Sequence, residues 1–475
     1  MEKGQSYKLT IEDMSTEGQG IGRVEGLAVF VDGAIVGDVV LAEIIKLKKN
    51  YALGRLVEII EPSKQRIEPA CRYAKDCGGC SLQSLDYKGQ LKLKKKMVED
   101  KLTRIGGIQN PVVHDIIGME KPWRYRNKAQ FIVSAAAGLT DGPGGPVSVG
   151  FYRAKSHQVI NCDECLIQSE PAEKLAGVLR EYMRTDNISA YDNKTGKGLI
   201  RHLIVKTAFG TGEIMAVLVI NGKGLPNMEK LVYMMDDAID EISPDPDTGI
   251  EFTLESVVLN INKKKTSEII GEKFITIAGK QTILEQVGGL NFEISPMSFF
   301  QVNPVQMVKL YDKVLEYASL TGEETVFDLY CGVGTIGLYS AMHAKRVIGI
   351  ESVKSAILDA NRNAVINRIV NAEFIHGKAE EELPKLLEQG VRADVVILDP
   401  PRAGCTLKVL NAVAEVQPDR IVYVSCDPAT LARDIKILGE KGYRFVEAQP
   451  VDMFPWTEHV ETVVLMCASS EAGRC

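Results

Sequence analysis

The sequence predicts three domains: a small N-terminal β-barrel, a central α+β domain and a C-terminal doubly wound α/β domain. Three observations support this prediction. The chain has 475 residues, roughly two to four times the usual size of a domain. Short strand-like segments separated by glycines fill the first 60 residues, and a regular alternation of strand-like and helical segments begins near residue 300. We place the domains at residues 1–60, 61–290 and 291–475.

The N-terminal segment predicts the barrel. Its strand-like stretches are short, closely spaced and separated by glycine-rich turns, a pattern typical of small barrels. These stretches are Tyr7–Ile11, Leu27–Val31, Asp38–Ile45 and Tyr51–Ile60.

The remaining two domains differ in the order of their elements. Residues 125–290 mix strand-like and helical stretches irregularly, which indicates an α+β domain. After residue 300 each strand-like stretch is followed by a helical one, which predicts a mostly parallel, doubly wound sheet with its ligands at the carboxyl ends of the strands. The predicted strands are Val326–Leu329, Arg346–Ile350, Glu373–His376, Asp394–Leu398 and Ile421–Val424.

Composition and charge limit the classes of function. No apolar run approaches the roughly 18 to 20 residues that span a bilayer, and the first residues lack the apolar region of a secretion signal. We therefore expect a cytoplasmic protein without membrane contact, and no obligate protein partner is evident. Net charge is −7, but residues 1–130 carry 22 basic and 17 acidic side chains. This basic N-terminal quarter favours a polyanionic partner.

A glycine-rich loop after the first strand of the C-terminal domain predicts a cofactor site. Val326–Leu329 runs into Tyr330–Gly337, and the next strand ends at Glu351. Glycines let the backbone approach a ligand at a helix N-terminus, and an acid about 20 residues later suits ribose hydroxyls. The same pattern fits NAD, so an NAD-dependent iron–sulfur oxidoreductase is an alternative. A further acid, Asp399, follows the fourth strand in a loop stiffened by two prolines.

Two further side chains have the chemistry of covalent catalysis. Cys426 follows the strand Ile421–Val424 and precedes a helical stretch, whose dipole favours a thiolate. Glu461 precedes the last strand and is suited to act as a general base, while His459 suits either catalysis or contact with RNA. Hydride transfer has no need of Cys426, which counts against the NAD alternative.

Five cysteines form a candidate metal site. Cys71-x5-Cys77-x2-Cys80 is followed far downstream by Cys162-x2-Cys165. Soft thiolate ligands select zinc or an iron–sulfur cluster, and the spacing alone leaves both open.

A basic segment and an aromatic segment follow the first cysteines. The basic side chains suit the phosphates of a nucleic acid or, as the alternative, a solvated helix face, and the aromatic and basic side chains of Trp123–Lys128 suit stacking on unpaired bases. The basic side chains are Lys88, Lys92, Lys94, Lys95, Lys96, Lys101 and Arg104.

Five sequence blocks in order resemble the RNA uracil-C5 methyltransferases, which act on tRNA or 23S rRNA. The blocks are Ser298–Asn303, Asp328–Gly334, Asp399–Gly404, Ser425–Asp434 and His459–Val463. Residues 5–60 resemble the TRAM domain, a small RNA-binding barrel, so the resemblance covers essentially the whole chain. It implies methyl transfer from S-adenosylmethionine to C5 of a uridine in RNA.

The resemblance also implies a role for each matching residue. Cys426 matches the nucleophile and Glu461 the base. The cofactor contacts match Gln301, Tyr330, Glu351 and Asp399. Two departures concern Asp427, where members often have Asn, and Gly377-Lys378, where many have Asp or Asn. Lys378 is therefore left out of the cofactor site.

A subset of this family carries a 4Fe-4S cluster on the pattern C-x5-C-G-G-C with a distant fourth cysteine. This implies Cys71, Cys77, Cys80 and Cys162 as ligands, with Cys162 preferred to Cys165. The TRAM-like barrel together with the cluster implies 23S rRNA as the substrate, with tRNA as the alternative. A non-catalytic RNA-binding protein is disfavoured, because both Cys426 and Glu461 are present.

Overall fold

The computed structural model describes residues 1–135, 146–266 and 268–469, which form a barrel and two large sheets with flanking helices. The first five strands close the barrel in the order β1-β2-β3-β5-β4. They are β1 (Ser6–Met14), β2 (Gly20–Val24), β3 (Leu27–Asp32), β4 (Val39–Leu47) and β5 (Tyr51–Glu61). The predicted barrel is confirmed.

One barrel strand, β2, lies where the sequence predicts only a glycine-rich turn. A Cβ atom at Gly22 would lie 2.6 Å from both Leu9 Cδ1 and the Thr10 carbonyl oxygen. Gly22 therefore allows β2 to approach β1 closely, which explains a glycine within a strand.

The central region has a seven-stranded sheet in the order β12-β11-β10-β9-β6-β7-β8, with helices α2 and α3 packed on it. Its helices are α1 (Tyr87–Arg104), α2 (Glu170–Thr185) and α3 (Met228–Asp240). Its strands are β6 (Lys128–Ala135), β7 (Val147–Tyr152), β8 (Val159–Asn161), β9 (Ile200–Thr207), β10 (Glu213–Ile220), β11 (Thr253–Ile261) and β12 (Lys273–Gly279). A separate hairpin, β13 (Ile283–Val287) and β14 (Leu290–Ile294), follows, so the predicted boundary at 290 falls where β14 begins.

The C-terminal region is the predicted doubly wound sheet, in the order β17-β16-β15-β18-β19-β21-β20. Its strands are β15 (Thr325–Leu329), β16 (Arg346–Glu351), β17 (Ala372–His376), β18 (Val395–Leu398), β19 (Arg420–Ser425), β20 (Tyr443–Val451) and β21 (Glu461–Ala468). Its helices are α4 (Pro304–Ala318), α5 (Thr335–Ala341), α6 (Lys354–Ile366), α7 (Ala379–Glu388), α8 (Leu407–Val416) and α9 (Pro428–Glu440).

Strand direction decides which residues meet at one edge of this sheet. Strands β15 to β19 are parallel, so their carboxyl ends form one edge, here called the carboxyl edge. Strand β21 runs antiparallel to β19 and therefore begins at this edge. Residues after β15, β16, β18 and β19 thus meet residues at the start of β21.

No helix in the described parts of the chain is long and apolar enough to cross a bilayer.

Candidate active site

The predicted nucleophile and base lie opposite each other at the carboxyl edge. Ser425 of β19 pairs with Thr462 of β21, so the next residues, Cys426 and Glu461, face each other where the ladder ends. Asp427 then caps α9: its side chain accepts hydrogen bonds from the backbone N–H groups of Ala429 and Thr430, each at 2.9 Å. The cap fixes the turn that carries Cys426.

The thiol of Cys426 is not a thiolate at neutral pH in this arrangement. Burial first, and then the charge of Glu461, raise the pKa of Cys426 to about 11, although Arg402 acts in the opposite direction. Desolvation of the sulfur opposes the thiolate that the helix end favours, so the nucleophilic role of Cys426 stays a prediction.

Three acids at the carboxyl edge are held largely neutral at neutral pH or close to it. Burial raises the pKa of Asp399 to about 7. Burial and the charge of Asp399 raise the pKa values of Asp328 and Glu461 to about 8 each. Arg402 partly offsets the effect on Glu461.

Asp328 indicates what kind of ligand this edge suits. Its side chain is fully buried, and neither side-chain oxygen has a hydrogen-bond partner. The nearby N–H of Gly337 offsets only part of the cost of burying the charged form. An unpaired buried carboxyl is costly, and a cationic ligand or a donor lowers that cost. The sulfonium and ammonium groups of S-adenosylmethionine fit such a site.

The glycine-rich loop leaves space for this ligand. A Cβ atom at Gly332 would meet no other atom within 4 Å. Tyr330 has a φ of 67°, a left-handed conformation that is rare for an aromatic residue, and its backbone N–H donates to the Ile350 carbonyl at 2.9 Å. Glu351 accepts from the N–H groups of Gly332 at 3.3 Å and Val353 at 2.8 Å. Tyr330 and Glu351 therefore flank the open loop.

Gln301 lies in the loop before α4, and its backbone carbonyl contacts the central region. The side-chain amide of Asn127 donates to the Gln301 carbonyl at 3.0 Å. Asn303, two residues later, caps α4 by accepting from Gln306 N–H at 3.2 Å. The structure thus joins Cys426, Glu461 and Asp399 electrostatically, whereas Gln301 accepts a hydrogen bond from Asn127, the residue before β6.

Arg402 is a functional candidate to which the sequence assigned no role. Its guanidinium donates to His459 Nε2 at 3.2 Å and lowers the pKa values of Cys426 and Glu461. Thr430 of α9 donates to the Arg402 carbonyl at 3.1 Å, which holds the loop that carries it. The available signal was a cation placed directly after Asp399-Pro400-Pro401.

The five cysteines of the predicted metal site line one cavity of about 390 Å³, here called the cysteine cavity. Arg126, Lys128 and Gln168 also line it, and the Gln168 side-chain oxygen is buried without a partner. Within residues 1–135, 146–266 and 268–469, no group of three or more His, Cys, Asp or Glu side chains has an arrangement that could hold a metal ion. The ligand set therefore stays a prediction. The cysteines are Cys71, Cys77, Cys80, Cys162 and Cys165.

The basic segment is only partly available to RNA. Lys94 is fully buried and donates to Asp452 at 2.5 Å, so its predicted phosphate contact is wrong. Lys95 donates to Asp115 at 2.8 Å, and Lys96 donates to Asp13 at 2.6 Å and to Asp100 at 3.0 Å. Their positive charges are already paired.

The predicted aromatic RNA contact is wrong for Tyr125, which is buried. Trp123 is partly exposed and stacks on Trp456, with ring centroids 4.1 Å apart, so the protein already covers one face of its ring. Stacking of Trp123 on a base stays a prediction.

Comparison with known proteins identifies the family. A sequence model of the tRNA (Uracil-5-)-methyltransferase family matches residues 268–469, and one of the TRAM domain matches residues 1–57. A protein of Caldanaerobacter subterraneus named an uncharacterized RNA methyltransferase is 50% identical over 463 residues, covering 98% of each chain. A similarly named protein of Clostridium tetani is 46% identical over 466 residues, covering 98% of this chain and 97% of that one. The chain belongs to the RNA uracil-5-methyltransferase family.

A solved structure supports the same conclusion. The tRNA (uracil-54, C5)-methyltransferase of Pyrococcus abyssi, in complex with S-adenosyl-L-homocysteine, is 29% identical with a TM-score of 0.74. The match covers 97% of this chain and 100% of that one. This family member is thus an S-adenosylmethionine-dependent RNA uracil-5-methyltransferase with an N-terminal TRAM barrel. The NAD-dependent alternative is wrong, because the glycine-rich loop lies within the methyltransferase match.

Proposed function

We propose that this enzyme methylates C5 of a uridine in 23S rRNA through a covalent bond between Cys426 and C6, with Glu461 as the base. One observation supports this proposal above the others. The register of β19 and β21 brings Cys426 and Glu461 opposite each other beside Asp399 and Arg402.

The reaction requires a nucleophile because C5 of uracil is itself a poor one. After the Cys426 thiol loses its proton to solvent, the thiolate adds to C6, and the C5=C6 electron pair moves toward the C4 carbonyl to give an enolate. C5 then takes the methyl group from the cofactor sulfonium. Glu461 removes the remaining C5 proton, the C5–H electrons restore C5=C6, and the C6–S bond breaks with its electrons returning to Cys426.

Positive charge is needed to ionise both groups at neutral pH. Arg402 supplies part of it, since it lowers the pKa values of Cys426 and Glu461. When bound, S-adenosylmethionine supplies the methyl group on a cationic sulfur. We propose that Glu351 binds its ribose hydroxyls, and that Gln301, Tyr330 and Asp399 complete its site.

We further propose that the cysteine cavity binds a 4Fe-4S cluster with a structural role. Its volume of about 390 Å³ is roughly a dozen times that of a water molecule, far more than a single ion fills. Arg126 and Lys128 line it and suit an anionic cluster. Cys71 and Cys77 each accept a hydrogen bond from a nearby backbone N–H, as expected of ligand thiolates.

The contacts support Cys165, instead of the predicted Cys162, as the fourth ligand beside Cys71, Cys77 and Cys80. Cys165 accepts hydrogen bonds from the backbone N–H groups of Ile167 and Gln168. The Cys162 sulfur instead lies 3.2 Å from the Glu164 carbonyl, an acceptor that a protonated thiol suits and a thiolate does not. A ligand thiolate has no proton to donate, so we assign Cys162 as a neighbour that stabilises Cys165.

A uridine in tRNA is the second candidate substrate. The combination of barrel and cysteine pattern supports 23S rRNA through the family resemblance. The Pyrococcus abyssi enzyme, named for uracil 54 of tRNA, supports tRNA because it matches 97% of this chain, including the barrel.

Mapping of 5-methyluridine tests the choice. In a strain lacking the gene, we expect one or more 5-methyluridines of 23S rRNA to disappear while those of tRNA remain. The wild-type gene should restore them and a Cys426→Ala gene should not. Loss confined to tRNA would establish the second candidate.

A further inference from the structure

We propose that Lys94 is a positioning residue for the catalytic base. It lies on α1 in the central region and holds the segment 452–460, here called the base loop, which joins β20 to β21. This inference rests on the proposed role of Glu461, which directly follows the base loop.

Lys94 forms a buried ionic contact at the start of the base loop. Its ammonium donates to Asp452 at 2.5 Å and to the Phe454 carbonyl at 3.0 Å, and both charged side chains are fully buried. The Tyr87 hydroxyl donates to the other Asp452 oxygen at 2.8 Å. A buried charge pair of this kind defines one geometry, because removing one partner leaves the other charge buried and unpaired at a large cost in free energy.

Further contacts between residues 81–125 and the base loop follow along its length. The Leu82 N–H donates to the Trp456 carbonyl, and the Trp456 N–H donates to the Gln90 side chain, each at 3.0 Å. The Trp456 indole donates to the Pro122 carbonyl at 2.7 Å. Ser81 donates to Glu458, one residue before His459. The base loop is therefore shaped largely by the central region.

A shift at Asp452 would also move the reacting groups, because the base loop is short. Trp456 has a φ of 69°, a left-handed conformation that its surrounding contacts must maintain. Near its end the base loop contains His459, which accepts a hydrogen bond from Arg402, and Glu461 directly follows the loop. If α1 released Asp452, we expect the start of β21 to shift, while Cys426, directly after β19, would keep its place.

The test separates proton removal from covalent addition. An RNA with 5-fluorouridine at the target traps the enzyme after methyl transfer, since fluorine cannot leave as a cation; trapping thus needs Cys426 but no base. For Lys94→Met we expect trapping within about twofold of wild type. Turnover on ordinary RNA should fall by about 10²-fold, the cost of a group misplaced by about 1 Å, with a methylated protein–RNA adduct accumulating. Lys95→Met, on the same helix with an exposed partner, should behave as wild type.

Each outcome has a distinct meaning. Normal turnover of Lys94→Met, or equal loss of trapping and turnover, would overturn the proposal, because a general structural defect slows both steps. Should Lys94→Met fail to fold, Tyr87→Phe replaces it, because the Tyr87 hydroxyl donates to the same Asp452 carboxylate; we expect the same selective loss of turnover, several-fold in size. Unchanged turnover of Tyr87→Phe would then overturn the proposal. A wild-type enzyme that is not trapped would instead refute the proposed function itself.

Discussion

The carboxyl edge and the cysteine cavity both bury thiols, but in opposite electrical surroundings. Burial raises the pKa of Cys426 to about 11 and that of Cys80 to about 12. Cys426 lies among acids and Arg402, whereas two basic side chains and one acid, Glu164, line the cysteine cavity. The acids of the carboxyl edge, once ionised, suit the proposed cationic cofactor, and the excess of basic side chains in the cavity suits the proposed anionic cluster.

Burial alone therefore does not decide what a cysteine does. Burial raises the pKa values of Cys426 and Cys80 because a desolvated thiolate is costly, whereas the hydrogen bond from Cys162 lowers that of Cys165. The charge of the ligand that each region accepts is what separates a nucleophile from a metal ligand. Each of the following experiments changes one side of this comparison.

The largest expected effect is at the carboxyl edge. Cys426→Ala should abolish methyl transfer, because without the thiolate C5 is never activated. Methyl incorporation from labelled cofactor into RNA, and gel detection of a covalent adduct with 5-fluorouridine RNA, check both parts of the claim. An adduct formed as well as by wild type would show that another group is the nucleophile.

Glu461→Gln should fail at the opposite end of the same cycle. Addition and methyl transfer proceed, but the C5 proton remains and elimination stalls. We expect turnover to fall by about 10²- to 10⁴-fold, the usual contribution of a positioned base. A denaturation-stable adduct that already carries the methyl group should accumulate, which mass spectrometry can detect. Normal turnover would assign the base elsewhere.

Changes in the cysteine cavity should alter the iron content of the protein more than its rate of methyl transfer. Anaerobically purified protein should be brown with about four irons per chain, because the cluster requires four thiolate ligands. Cys165→Ala should lose most of the iron, whereas Cys162→Ala should keep most of it. The reverse result would restore Cys162 as the fourth ligand, and zinc without iron would refute the cluster.

The two regions also differ in how far the sequence predicts them. The carboxyl edge follows from strand order, since alternating strands and helices force residues after β15, β18 and β19 to one side of the sheet. The choice between Cys162 and Cys165 as the fourth ligand cannot be predicted from the sequence, because the spacing of cysteines does not show which thiol accepts backbone hydrogen bonds.

The burial of Lys94 could be predicted from helical periodicity, but the lysines around it suggested a solvated helix face instead. Lys94 lies four residues from Gln90 and from Val98, all three on the buried face of α1. Helical periodicity therefore places it inward, although its neighbours Lys92, Lys95 and Lys96 suggest a solvated basic face. Its partner Asp452 lies about 360 residues away in the chain, so no local pattern could identify the pair.

A smaller effect concerns RNA affinity. Lys88 and Lys92 are exposed and form no ion pair within the described residues, unlike Lys95 and Lys96. Replacing Lys88 and Lys92 by Gln should reduce the slope of log affinity against log salt by about 0.7 to 0.9 for each phosphate that the variant no longer neutralises. The same change at Lys95 and Lys96 should leave the slope nearly unaltered. Equal slopes for both double variants would assign the RNA path to other surfaces.

The smallest expected effect is the pH dependence of stability, which arises from the acids of the carboxyl edge. The ordinary pKa of Asp328 is 3.8, and burial raises it to about 8 in the folded protein. Between these values the folded state holds a proton that the unfolded state has lost. Stability due to this group is therefore full below pH 4 and falls as pH rises toward 8.

Asp328→Asn should remove this dependence. The amide does not titrate, so the melting temperature of the variant should fall less than that of wild type between pH 6 and pH 9. We expect a difference of several degrees, since about 1 kcal/mol corresponds to roughly 2–4 °C in a domain of this size. Asp237→Asn, an exposed change on α3, is the matched control and should leave the profile unchanged. A profile for Asp328→Asn parallel to that of wild type would mean that Asp328 is already ionised in the folded protein. The carboxyl edge would then hold an unpaired charge before any cationic ligand arrives, and the proposed electrical contrast with the cysteine cavity would be larger.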